Sequence, residues 1–541
     1  MAFDPTRTDT AHLLEIDLGA STLKYADRDI ALSDATLYEG RIVRLPPLSQ
    51  SIGGLLDSRL ITPRVRVTLD NTDDAIRTSL DANSNWAGKA VTIKIGQGTT
   101  AGDYETRFTG TVRFPGGVSW DGDQVTIEFD NDLAADTVSL PTNKIFPSTY
   151  PNAADSAKYQ PIPIIYGDWR STAAGGETVP CYQVDSTAGT GGKFKICEAG
   201  WVQEIEAVYL NGTDITANCT LDTANGEFTI TTGTYDDLTD AVTANVWGKQ
   251  ITNNATYTLS DIALDLLENV LSVPSGRINS AGFTAWRGEL VPDGKGRRWI
   301  GAAVASSTLL AELANEGFTD LIINEDGEYE PVSRSQTRSG ATVVREFNIL
   351  PRGRGRAFNV AFDPEKAYAN QIVVDYALRP AGTYARSYDQ DDSNAQTAVG
   401  QTVRRRVKSN WLYLDEGAES LAGWQLAAFA SEPEMFEAEL NADILALRPT
   451  DRLEVIYSKF EVDSTTGTIF QIRQIQPDYQ KMTARVAAWN IDAIVPRQWG
   501  DVSANVYGSA TATELALNAF WGDSNGRADS GDANSAFSDW Y

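Results

Sequence analysis

One histidine, His12, and three cysteines, Cys181, Cys197 and Cys219, are the scarcest chemistry-bearing residues in this 541-residue chain. A Ser-His-Asp triad would have to recruit His12 and a nucleophile on a sharp elbow, and no Gly-x-Ser-x-Gly occurs. His12 therefore reads as a residue of a strand or an arm. The cysteines lie 16 and 22 positions apart with no histidine beside them, a spacing that makes neither a zinc nor an iron–sulfur site. They read as buried free thiols, with a Cys181–Cys197 contact open across a hairpin. Gly192-Lys193 looks like the end of a phosphate loop. Phe194 stands where a Mg²⁺-binding hydroxyl is needed and Thr187 replaces the first glycine, so a flexible loop is expected there. Asp389-x-Asp391-x-Ser393 begins like a calcium loop. Asn394 takes the place of the turn glycine and Gly400 that of the bidentate glutamate, which leaves a solvated loop.

Acid–base chemistry by paired carboxylates needs one pair that stands out, and 73 acidic residues offer many. The 13 Trp and 20 Tyr could line a sugar cleft, yet Trp299, Trp424 and Trp489 fall in apolar segments and read as core. Two basic clusters, Arg352-Gly353-Arg354-Gly355-Arg356 and Arg404-Arg405-Arg406, have the composition of a nucleic-acid contact. In a chain of net charge −28 they are expected instead to pair with acidic neighbours, within the chain or across a subunit contact. No catalytic, cofactor-binding or metal-ligating residue is assigned, and no cofactor.

Composition bounds the rest. Against 73 acids stand 45 bases, and an isoelectric point near 4.4 argues against broad phosphate contact and against an anionic membrane surface. Hydrophobic residues at 42% and charged residues at 22% are the balance of a core-forming chain. No cationic start with an apolar run opens the sequence, and no stretch of ~20 apolar residues would span a bilayer. Folding in a reducing cytoplasm without membrane insertion is expected. At ~150 residues per domain the length predicts three or four domains.

The elements follow from hydrophobic period. Alternation in Val65-x-Val67-x-Leu69, Val91-x-Ile93-x-Ile95 and Val125-x-Ile127-x-Phe129 predicts an antiparallel barrel or sandwich over residues 1–150. Residues 151–250 read as an inserted β-module with Gly/Ala/Ser loops. Residues 251–345 form a small α/β module, with one helix near 258–270, capped by Thr258 or Ser260, and a second over Ala302 to Glu316. These two stretches carry the only helical period ahead of a third segment, Gly417 to Phe429, inside a second barrel over 346–500. Two meanders run parallel in sequence. Val91, Gly110-Thr111-Val112 and Val125 match Leu453, Gly467-Thr468-Ile469 and Met482, which predicts two related barrels.

Several segments together resemble the tail hub proteins of long-tailed bacteriophages, related to contractile-tail baseplate hubs and hubs of gene-transfer particles. They are Leu48 to Ile52, the strand Val65 to Leu69 with its Asn71-Thr72-Asp73-Asp74 turn, Trp86 to Val91, Phe108-Thr109-Gly110-Thr111-Val112 and Pro163-Ile164-Ile165-Tyr166-Gly167. The helix from Tyr257 leading to Phe283, Ser306 to Glu330, Asn370 to Tyr376, Asp392-Ser393, Ala422 to Phe429 and Leu447 to Val455 follow in the family's order. The resemblance covers roughly 13–495 and is poor over 171–250. It implies a mainly β fold, a β-rich α+β chain with tandem antiparallel barrels. It also implies a non-catalytic virion protein at the tail tip or baseplate, assembled in the host cytoplasm. The implied partners are a homotrimer of this chain, the distal tail ring, tail-tip or fibre proteins, and DNA passing without specific binding. The iron–sulfur cluster of some hubs is not carried over, because no cysteine follows Cys219. The alternatives are a β-modular carbohydrate-binding or glycan-cleaving protein and a receptor-binding tip in which 171–250 touches the host.

Residues 501–541 carry six acids (Asp501, Glu514, Asp523, Asp529, Asp532, Asp539) and one base, Arg527. A short helix is expected between Ser509 and Trp521. Phe537, Trp540 and Tyr541 suit a docking arm anchored by its terminal aromatics.

Overall fold

The computed structural model of the chain describes residues 10–19, 21–45, 48–52, 64–82, 86–114, 116–130, 138–173, 176–237, 239–249, 251, 257–290, 294–324, 326–334, 340–345, 348–352, 355–356, 358–362, 368–430, 434–441, 445–456, 467–479, 481–491, 498–499 and 518–519. The chain is mainly β, with several sheets and a few helices.

The first sheet is built from the alternating segments. Its strands are β1 (Thr10–Asp17), β2 (Thr22–Ala26), β3 (Ile30–Ala31), β4 (Leu37–Gly40), β5 (Ile42–Arg44), β7 (Arg64–Asp70), β8 (Ala90–Gln97), β9 (Tyr104–Val112), β10 (Val118–Asp121) and β11 (Gln124–Asp130). They run in the order β3-β4-β2-β1-β8-β9-β11-β7-β5, with β10 on β11. Val65, Val67 and Leu69 of β7 and Val125, Ile127 and Phe129 of β11 are all buried, as period two requires of strands with one face on a core. A helix, α1 (Ala75–Ala82), joins β7 to β8. The short strand β6 (Gln50–Ser51) leaves this sheet and pairs elsewhere.

After β12 (Ser139–Leu140) and β13 (Ile164–Tyr166) the chain makes a two-layer insert. Its strands are β14 (Val179–Pro180), β15 (Tyr182–Asp185), β16 (Gly192–Lys195), β17 (Val202–Leu210), β18 (Thr213–Asp214), β19 (Cys219–Asp222), β20 (Glu227–Ile230) and β21 (Val242–Gly248). One layer is β14-β21-β17-β18 and the other β15-β16-β20-β19. Val179, Phe194, Ile196, Val208, Phe228, Ile230 and Val246 fill the space between them. The ends of the insert lie side by side, with the Trp169 N–H donating to the Val246 carbonyl at 2.9 Å.

The next stretch holds α2 (Leu259–Asp265), α3 (Ser280–Leu290), β22 (Arg298–Ile300), β23 (Val304–Ala305), α4 (Ser306–Glu316) and the hairpin β24 (Thr319–Ile323) and β25 (Tyr329–Ser333). Thr258 is the cap of α2. Its hydroxyl accepts from the Asp261 N–H at 3.2 Å, while the Asp261 carboxylate accepts from the Thr258 N–H at 3.1 Å. α2 runs on as one π turn over 266–270. The helix α3 departs from the expectation of helical period only near 258–270 and 302–316. Gly282 and Gly288 hide its pattern, and Gly282 faces Pro331, whose Cδ would lie 3.1 Å from an added Cβ. α1 also departs from that expectation, its eight residues being too few for the period to register.

The last stretch contains β26 (Thr342–Arg345), β27 (Pro351–Arg352), β28 (Gly355–Arg356), β29 (Phe358–Phe362), β30 (Gln371–Leu378), β31 (Tyr384–Asp391), α5 (Ser393–Val399), β32 (Arg404–Lys408) and α6 (Asp415–Phe429). It continues with β33 (Glu434–Asn441), β34 (Arg452–Ile456), β35 (Thr468–Asp478) and β36 (Thr483–Asn490), and two further paired segments are β37 (Gln498–Trp499) and β38 (Asn518–Ala519). A sheet β26-β34-β35-β36-β33-β29 forms, with β6 on β35. Between β29 and β33 the chain detours through a separate sheet, β31-β30-β32. The helix α6 of this detour packs into one core with α2, α3 and α4.

The two end sheets repeat one order. In the first, β8, β9 and β11 lie side by side and β11 returns to β7; in the second, β34, β35 and β36 do the same and β36 returns to β33. The match extends one strand each way, β1 and β5 standing where β26 and β29 stand. Direction differs once: β1 is antiparallel to β8, whereas β26 is parallel to β34. The residue alignment read from sequence is off register. Gly110-Thr111-Val112 ends β9, while Thr468 begins β35 and Met482 precedes β36. Gly110 and Thr111 are paired inside β9 near its end, whereas Gly467 and Thr468 stand at the start of β35, so the two glycine-threonine pairs share no register. Among the described residues the ladders of both sheets run as open orders.

Candidate functional site

Each sequence candidate falls into a structural setting. His12 lies on β1, its Nδ1 3.0 Å from Asp27 and its ring edge-on to Tyr479 at 5.9 Å between centroids. It therefore spans from the first sheet to the turn after β35. Asp389 and Asp391 lie on β31, and Asp392 caps α5 by accepting the Ala395 N–H at 2.9 Å. Gly400 ends that helix at φ 74°. The acids of the supposed calcium loop thus form a strand and a helix cap, which corrects the solvated loop. Gly192-Lys193-Phe194 is strand β16, with Phe194 stacked on Phe228 at 5.3 Å, in place of the flexible loop expected. The three cysteines are free and border the core of the insert, where burial pushes the Cys181 and Cys197 thiols well up. Such thiols are poor nucleophiles and poor metal ligands. Among the described residues no group of three His, Cys, Asp or Glu is placed to hold a metal.

The basic cluster on β32 resolves into intrachain contacts. Arg406 grips Asp375 with two bonds of 2.5 and 2.7 Å, and Arg404 reaches Asp389 at 3.3 Å. The Arg405 guanidinium lies over the Phe429 ring at 4.5 Å. The pairing expected for Arg404 and Arg406 is therefore made within the chain. The side chains of Arg352, Arg354 and Arg356 lie outside the described residues. Of the tail 501–541 only 518–519 is described, as β38 paired in parallel with β37, where part of a helix was expected. The docking arm otherwise lies outside the described residues. Trp424 and Trp489 are buried and Trp299 packs against the insert core.

What the geometry does build is a set of joints between the modules. The two end sheets share a single core: Val67, Ile93, Phe108 and Ile127 belong to the same cluster as Phe436, Leu453, Phe470 and Val486. β6 sews them together, pairing Gln50 with Ile475 and Ser51 with Gln474. Arg107 donates to the Ala446 carbonyl at 3.2 Å across the same boundary. The β24–β25 hairpin is pinned by an ion triad that sequence reading missed. Asp320 accepts from Arg334 at 2.8 and 3.0 Å and from Arg473 of β35 at 3.2 Å and at a second, shorter contact. Burial pushes the Asp320 carboxyl up, but Arg334 and then Arg473 outweigh it and hold the carboxyl below its usual range. A charged residue in a strand is invisible to period reading unless its partners, here 14 and 153 positions away, are known.

A second joint ends α4. The buried Glu316 carboxylate accepts from the Ser409 hydroxyl at 2.6 Å and from the N–H groups of Asn410, Trp411 and Leu412 at 2.6, 3.0 and 3.2 Å. Burial pushes its carboxyl up to about 7, and the donors pull only part of the way back. A third joint holds the insert. Gly167, at φ 79°, lets β13 pass Arg297, whose Cα would sit 2.7 Å from an added Cβ. The Arg297 guanidinium lies over Trp169 at 4.3 Å and Tyr413 at 4.8 Å, and burial pushes its pKa down to about 10. Buried Tyr166 donates to Asp265 at 2.8 Å, and Lys249 meets the same carboxylate at 2.8 Å. These groups are spent on one another. The arrangement fixes modules to one another.

No protein-family profile and no curated protein matches the chain. Solved structures align at low scores. The 43 kDa tail protein of prophage MuSo2 from Shewanella oneidensis is 14% identical at a TM-score of 0.41, covering 90% of this chain and 99% of that one. A tail protein from Neisseria meningitidis MC58 is 9% identical at 0.39, covering 89% and 97%. A chain of the virion of the native gene transfer agent particle is 11% identical at 0.37, covering 61% and 84%.

Proposed function

We propose that this chain is a non-catalytic structural component of a phage-type tail, a hub at the tail tip that joins the tube to the distal proteins. The observation that carries the reading is the repeated strand order of the two end sheets around one shared core. A chain with two quasi-equivalent units lets three copies present six similar faces, so a homotrimer can seat on a six-fold tube. The motif order that resembles tail hubs points the same way. A net charge of −28 suits a wall around a DNA path, because a repulsive surface does not trap a polyanion in transit. The partners on this reading are the distal tail ring and tip or fibre proteins, with the protein carried in the virion after assembly in the host cytoplasm. Among the described residues no helix is long and apolar enough to cross a membrane. Copy number per assembled tail tests the reading: three copies are expected, and six would contradict it. Turnover of purified peptidoglycan by the isolated protein would favour a glycan-cleaving enzyme instead.

A further inference from the structure

We propose that the cavity between β32, the end of α4 and α6 is a carboxylate-binding site anchored by Arg405. The cavity holds about 200 Å³ and is lined by Asn315, Glu316, Arg405, Val407, Leu421 and Gln425, with Arg406 and Lys408 also on its wall. Period two on β32 separates its charges. Arg404 and Arg406 are turned to Asp389 and Asp375, while Arg405 is turned to Phe429 of α6. Arg405 forms no ion pair among the described residues, in a chain whose acids far outnumber its bases. Burial without a carboxylate partner lowers the Arg405 pKa.

A second observation is independent of charge. Gln425 is only 5% exposed and its Oε1 has no hydrogen-bond partner. A buried amide left unmatched is disfavoured by ~1–3 kcal/mol until something enters to meet it. A half turn of the amide presents its N–H groups instead of its oxygen. Glu316 shares the wall, but its carboxylate is already met by Ser409, Asn410, Trp411 and Leu412. Lys408, on the same face as Arg404 and Arg406, lies over Tyr384 and beside Asp375, so Arg405 is the cation left to meet an anion in the cavity. The guanidinium fork matches a carboxylate in two parallel bonds, and Val407 and Leu421 suit a short aliphatic stem behind it. The ligand class is thus a carboxylate on two or three methylenes, either a free dicarboxylate or a glutamate side chain of another polypeptide.

The test is calorimetric titration of the full chain with glutarate and, separately, with acetyl-Gly-Glu-Gly-amide. One site per chain is expected. Arg405→Gln should weaken binding at least tenfold at unchanged circular dichroism, and Gln425→Leu should weaken it several-fold. Arg404→Gln, on the opposite face of β32, should leave it unchanged. Tighter glutarate assigns a small-molecule ligand, and a tighter peptide assigns a protein side chain. If neither binds, or if Arg405→Gln binds as the wild type does, the proposal is overturned. It stands or falls independently of the tail reading, which copy number tests.

Discussion

Asp320, Arg334 and Arg473 are 2%, 1% and 4% exposed, and the buried Asp320 carboxylate is the opposite charge that both guanidiniums meet. Removing the acid strands two guanidiniums side by side away from water. Asp320→Asn should lower stability by about 3–5 kcal/mol, read as a shift in urea midpoint. Glu316 behaves in the opposite sense. Its carboxyl is raised from 4.5 to about 7 on folding, so the folded state binds the proton more tightly than the unfolded one. The resulting stability is fully present below pH 4.5 and is lost as pH rises through about 7, on the order of 3 kcal/mol in all. Glu316→Gln should flatten that part of the stability–pH curve, which denaturant unfolding at pH 4.5, 6 and 8 would show. Neither residue is legible in sequence, because burial of a charge depends on partners far along the chain.

Elements were legible where local chemistry and period agreed. The helix α2 announced itself through Thr258, three residues before Asp261, ahead of Leu259, Ile262 and Ala263; the capping box and the buried face are both present. Thr258→Ala should therefore lower thermal stability by about 1 kcal/mol, and Thr258→Ser should recover most of it. The same logic failed where one residue type has two uses. Gly282 sits inside α3 because Pro331 packs against it, although glycine ordinarily argues against a helix interior. Asp389 and Asp391 resembled the start of a calcium loop because strands and calcium loops share aspartate. Gly400 settles the matter, standing in the left-handed region with its N–H on the Gln396 carbonyl. Gly400→Ala should lower stability by about 1 kcal/mol through backbone strain alone, since an added Cβ meets no atom within 4 Å.

At the scale of the molecule, period two reported both end sheets but could not report that they share a core. One apolar face looks the same whether it packs on its own sheet or on a partner; the pairing of β6 with β35 and the Arg107 bond to the Ala446 carbonyl tie the two together. The insert is the contrary case. It has its own core, and its ends meet at Trp169 and Val246, the geometry of a module added to a finished fold. Asn245 closes the same neck by donating to the Trp169 carbonyl at 2.8 Å. Replacing residues 171–244 by a short Gly-Ser linker should thus preserve the end sheets and the helical core between them. Trp169 stays against Arg297 in this design, so the joint at Gly167 keeps its packing. Newly exposed Trp169 and Val246 are expected to lower solubility. Cooperative unfolding of the shared core should persist, measured by near-ultraviolet circular dichroism in urea. On the tail reading, particles carrying the shortened chain should assemble with the same copy number and lose attachment only if the insert contacts the host. Loss of cooperative unfolding would show instead that the insert is part of the scaffold.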